Sequence, residues 1–99
     1  MNKDSELEKI GKRIGKIDLA LMALLKRRSA LTKRVAEYKI RSGQKFVRLN
    51  VEKQRIDAVR KWAKEHGMDP NFAQQILYSV INESCKQQLV ELQKNLSLE

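Results

Sequence analysis

From Leu7 to Tyr38, apolar residues recur at alternating three- and four-residue steps: Leu7, Ile10, Ile14, Ile17, Leu21 and Leu24, then Leu31, Val35 and Tyr38. This is the period of one face of an α-helix. No proline interrupts it, and its only glycines are Gly11 and Gly15, so the stripe reads as one helix. At 1.5 Å per residue it runs about 50 Å, whereas a compact globule of this length has a radius of gyration near ~13 Å. The helix overshoots any globule the chain could form alone, which predicts an elongated dimer with this helix packed against its twin. One position breaks the stripe. Arg28 stands where a leucine is expected, and a guanidinium on a helix seam is costly unless an anion meets it. A small charged pocket inside a helical bundle is therefore expected, with Lys39, about three turns further along, as a second cation on nearly the same side.

The remaining chain reads as two more helices. Ser5 and Glu6 open the first helix, and Gly43 stops it after Arg41 and Ser42. A loop over 43–50 follows, then Asn50 as the cap of a helix over 51–66, with Ile56, Val59 and Ala63 facing inward and Gly67 as terminator. Asp69 and Pro70, a cap followed by a proline in the first turn, start a third helix running to about 96. No alternating run suggests a strand. The prediction is an all-α single domain over 1–99, with helices at about 5–41, 51–66 and 70–96. In the third helix, steps of four give Phe72, Ile76, Val80, Ser84 and Gln88, an apolar ridge that turns polar. Ser84 and Gln88 share a face. Either the helix end emerges into solvent there, or a hydroxyl and an amide enter the pocket of Arg28 and Lys39.

Charge narrows the partners. Lys plus Arg number 21 against 12 Asp plus Glu, a net charge of +9 that suits an anion. Readers of single-stranded nucleic acid interleave aromatic with basic residues; here aromatics are only 5% and scattered, so nucleic acid is disfavoured. Cys85 has no second cysteine to pair with and reads as an inert thiol near an apolar face. His66, before Gly67, suits the last carbonyls of a helix. No Cys/His cluster points to a metal, and no cofactor is implied. The first residues lack an apolar signal region and no stretch reaches the length of a membrane span, so a cytoplasmic location is expected.

Taken together, Ile14-x-x-Ile17-Asp18, Leu24-Leu25-x-Arg27-Arg28, Val35-x-x-Tyr38-Lys39, Glu52, and Glu83-Ser84-x-x-x-Gln88 resemble the all-α chorismate mutases, small intertwined homodimers of three helices per chain. The match covers nearly the whole chain without a gap, and the joint spacing of Arg28, Lys39, Glu52, Ser84 and Gln88 is its most specific part. The resemblance implies a dianionic substrate, chorismate, rearranged to prephenate in aromatic amino-acid biosynthesis. That reaction is pericyclic: an ether C–O bond breaks as a C–C bond forms, with no nucleophile and no proton transfer. Catalysis then consists of holding a chair-like conformer and placing positive potential at the ether oxygen. Carried over, Arg28 would grip a carboxylate, Lys39 a carboxylate and the ether oxygen, and Gln88 the same oxygen. Glu52 would bind the ring hydroxyl and Ser84 the ring carboxylate.

The chain also departs from the family pattern. An arginine that the family supplies across the dimer falls at Gly11, another falls at Val51, and an acidic residue is expected where Arg48 stands. Lys12 and Arg13 are turned about 100° per residue away from the first gap, while Arg48, on a loop, is a further candidate for the second. Related reactions of the fold, pyruvate removal from isochorismate or rearrangement of 4-amino-4-deoxychorismate, remain alternatives, as does a non-catalytic basic helical dimer binding nucleic acid or protein.

Overall fold

The computed structural model describes residues 3–44 and 49–97, which form three helices: α1 (Lys3–Ser42), α2 (Leu49–Glu65) and α3 (Pro70–Ser97). The described residues contain no strand, so the chain is all-α. At 40 residues, α1 is about 60 Å long. Both helix stops lie where the glycines predicted them. Gly43 and Gly67 take φ of 70° and 71°, the left-handed conformation a side chain disfavours. Beyond them Gln44 N donates to Lys39 O at 3.1 Å and Met68 N to Ala63 O at 2.9 Å, each satisfying a carbonyl of the last turn. At the start of α3, Asp69 Oδ1 accepts from Asn71 N at 2.9 Å with Pro70 between them, so the cap has the form expected.

Asn50 is a correction. Helix α2 already includes Leu49, so Asn50 stands inside the first turn instead of capping it. The expected loop over 43–50 is correspondingly shorter at its far end, and its positions 45–48 lie outside the described residues.

The chain comprises two compact units, Met1–Ala30 and Leu31–Glu99, with α1 contributing to both. In the first unit the stripe is uncovered: Leu7 is 66% exposed, Ile17 67% and Leu24 57%. In the second unit α2 packs on α3. Its core is made mostly of small groups, Ala36, Ala63, Ala73, Thr32 and Ser84, together with the larger Ile81. Short side chains let helix backbones approach closely, but they bury little apolar area at about 25 cal/mol per Å². Among the described residues no large side chain is fully buried. Polar contacts fix the α2–α3 pairing. Arg60 donates to Asn71 Oδ1 at 3.0 Å and to Gln74 Oε1 at 2.7 Å, which joins the second half of α2 to the first turns of α3. His66 places Nδ1 2.7 Å from Trp62 O and stacks on the Trp62 ring at 4.1 Å, the helix-end role its position predicts. No helix among the described residues is long and apolar enough to cross a membrane.

A second correction concerns α3. Phe72 and Ile76 are exposed, whereas Ala73, Ile81 and Ser84 are buried and Leu77 and Gln88 half-buried. Four residues turn a helix through 400°, so a line of four-residue steps drifts about 40° each time and Phe72 ends roughly 160° from Gln88. The inward face follows mixed three- and four-residue steps, and it carries Ser84 and Gln88.

Candidate active site

Lys39 is on the last turn of α1, where a cation is favoured by the partial negative charge of the helix end. The buried Thr32 and Ala36 precede it, and Lys39 itself is half-buried. On α3, the mixed spacing that buries Ala73 and Ile81 turns Ser84 and Gln88 inward as well. The two elements meet: Lys39 Nζ donates to Gln88 Oε1 at 3.4 Å. This is the long end of the hydrogen-bond range. The contact brings the Lys39 ammonium and the Gln88 amide group to one place. An ammonium and an amide donor are thus held side by side, an arrangement that places positive potential on a single acceptor oxygen.

Ser84, one turn before Gln88, is 9% exposed, and its Oγ donates to Val80 O at 3.0 Å. That bond holds the hydroxyl against its own helix. Of the two readings of Ser84 and Gln88, emergence into solvent is the one the burial overturns. Glu52 is half-buried in the first turn of α2. By helical count it lies in line with Ile56, Val59 and Ala63, which are half-buried or buried as predicted. It is therefore on the packed side of α2, while its place in the first turn also suits the helix dipole.

Arg28 belongs to the first unit, on α1 one turn before Thr32, and is half-buried. Arg48 lies outside the described residues. The structure therefore joins Lys39 directly to Gln88, sets Ser84 beside Gln88, and puts Glu52 on the inward side of α2. Absent from the sequence reading was a surface pocket of about 670 Å³ that Lys39 lines together with Leu31, Arg34, Val35, Tyr38 and Arg41.

The family model for chorismate mutase type II matches residues 10–89. The chain belongs to that family. It is also 27% identical over 100 residues to a 4-amino-4-deoxychorismate mutase of Streptomyces venezuelae, an alignment that takes in 100% of this chain and 97% of that protein. Membership gives the paired donors of Lys39 and Gln88 a chemical context. Chorismate mutase chemistry needs no nucleophile, and its demand on the protein is the electrostatic one that the pair can meet.

Proposed function

We propose that this protein is an isomerase that rearranges chorismate to prephenate, serving the shikimate route to aromatic amino acids in the cytoplasm. The observation that carries the reading is the 3.4 Å pairing of Lys39 with Gln88 in a chain of the type II family. As the ether bond lengthens, negative charge gathers on its oxygen, and two donors already in place stabilise it with little reorganisation. Arg28 grips a carboxylate, Lys39 bonds a carboxylate as well as the ether oxygen, Ser84 turns its hydroxyl from Val80 O to donate to the ring carboxylate, Glu52 accepts from the ring hydroxyl, and Arg48 is a further cation for the substrate. No cofactor or metal takes part in this scheme.

The working unit in this proposal is an intertwined homodimer in which residues 1–99 of each chain form one domain. The support is the uncovered stripe on α1, from Leu7 at 66% exposed to Leu24 at 57%. Leaving such a surface in water is unfavourable, and a second copy of the same helix offers a matching stripe. A second reading has an observation of its own. The Streptomyces venezuelae relative is a 4-amino-4-deoxychorismate mutase, so the amino analogue is the nearest competing substrate; isochorismate, with pyruvate as product, is the next.

The test is to incubate the pure protein with chorismate and with its amino analogue and to compare initial rates. Faster loss of chorismate, with prephenate formed, supports the first reading. Faster loss of the amino analogue transfers the assignment to the second. No turnover of either, or of isochorismate, leaves the non-catalytic basic dimer.

A further inference from the structure

Among the described residues two polar side chains are buried, Thr32 and Ser84, each 9% exposed. Ser84 has a place in the proposed scheme and Thr32 has none. A buried threonine in a helix interior is unfavourable twice over: its branched side chain lowers helix propensity relative to alanine, and its hydroxyl is taken out of water. The next buried position of α1 is an alanine, Ala36. Packing alone therefore gives no reason for a hydroxyl at position 32.

The last turns of α1 run in the same direction as α3. Lys39 reaches Gln88, and beyond that contact one groove is lined by Ile40 and Arg41 near the end of α1 and by Lys94 and Asn95 near the end of α3. Thr32 and Ser84 accordingly lie together on the other, N-terminal side of the Lys39–Gln88 contact. Seven residues turn a helix through 700°, so Thr32 stands within about 20° of Lys39 around α1 and about 10 Å before it along the axis. Helical side chains lean toward the N-terminus, so the Lys39 stem runs back toward Thr32. On the buried flank of the turn between them Ala36 contributes only a methyl group. A substrate with its ether oxygen at Lys39 and Gln88 and its ring carboxylate at Ser84 occupies this N-terminal side, where Thr32 supplies a hydroxyl from the α1 wall. We infer that Thr32 is a substrate-binding residue whose hydroxyl donates to the carboxylate that Lys39 holds. The inference rests on the proposed activity. That carboxylate keeps its charge throughout the rearrangement, so the contact is equally strong before and during bond change. Uniform binding of this kind appears in KM and leaves kcat unchanged. Lys39 and Gln88, at the ether oxygen, appear in kcat.

The experiment measures steady-state kinetics on chorismate and the melting temperature for Thr32→Val, Thr32→Ser and Thr32→Ala. Valine keeps the branched shape and replaces the hydroxyl with a methyl; serine keeps the hydroxyl and drops the methyl. Thr32→Val is expected to raise KM about tenfold, the loss of one hydrogen bond to a charged group, with kcat within about twofold. Its melting temperature should stay within a few degrees of the unmodified protein's, because the shape is conserved. Thr32→Ser should recover most of the affinity, with KM within about threefold of the unmodified protein's. Unchanged KM in Thr32→Val overturns the assignment. So does a rise in Thr32→Ser as large as that in Thr32→Val, which would make the effect one of packing. Should Thr32→Val not fold, Thr32→Ser and Thr32→Ala decide the same question, since they differ by the hydroxyl alone: a KM about tenfold higher in the alanine variant supports the contact, and equal KM values overturn it. Failure of the functional reading is distinct: the unmodified protein then turns over no chorismate at all, and the role of Thr32 falls with it.

Discussion

Replacing Gln88 with alanine separates a catalytic donor from a packing residue. In the folded chain the Gln88 amide accepts from Lys39 at 3.4 Å and is half-buried. A long, partly solvated bond of this type contributes no more than about 1 kcal/mol to folding. For a domain of this size that corresponds to a melting shift of about 4–8 °C at most. The same amide, aimed at an oxygen that gains charge in the transition state, is worth about 10²–10³ in kcat. Gln88→Ala should therefore lose at least a hundredfold in kcat on chorismate while melting within a few degrees of the unmodified protein. Lys39→Ala should behave similarly. Because both donors serve one oxygen, the double variant should lose less than the product of the single losses. Rates come from the fall in chorismate absorbance, and stability from thermal unfolding followed by circular dichroism. An unchanged kcat in Gln88→Ala refutes its assignment to the ether oxygen; a collapse of the fold would make the Lys39–Gln88 contact a structural tie.

Further outcomes follow from the same geometry. Arg28→Ala should abolish turnover while shifting the melting temperature by no more than a few degrees, as for a half-buried charge that is still partly solvated; a large drop in melting temperature would make Arg28 a structural ion-pair member. The protein should sediment as a dimer at micromolar concentration, and Ile14→Asp, which puts a charge on the exposed stripe of α1, should shift it toward monomer; a folded monomer before any substitution would sink the dimer. Gly11→Arg with Val51→Arg should raise kcat/KM on chorismate by roughly one to two powers of ten per restored contact. No atom outside its own helix turn lies within 4 Å of a Cβ built at Gly11, so that substitution should also stabilise α1 by up to ~1 kcal/mol. A folded double variant with no gain on chorismate would move the amino analogue ahead.

The legible parts of this fold were those written in local chemistry. Gly43, Gly67 and the Asp69-Pro70 pair marked helix ends because left-handed glycine and a capping carboxylate act within a few residues of themselves. Asn50 misled because a capping preference, though strong, places a helix start only to within a residue or two, and α2 begins at Leu49. Phe72 misled for a geometric reason, since steps of four do not stay on one face. The Lys39–Gln88 contact joins residues 49 positions apart; no local rule fixes it, and the helix faces offered it as one of two readings that the family resemblance then made specific.

The central claim is that this chain rearranges chorismate. Incubation of the pure protein with chorismate, with products identified by proton NMR, tests it most directly. The account predicts vinyl and enolpyruvyl signals of chorismate giving way to those of prephenate, at a rate above the spontaneous reaction that falls to background in Lys39→Ala. Conversion no faster than in buffer, or equal conversion by the Lys39→Ala protein, would contradict it.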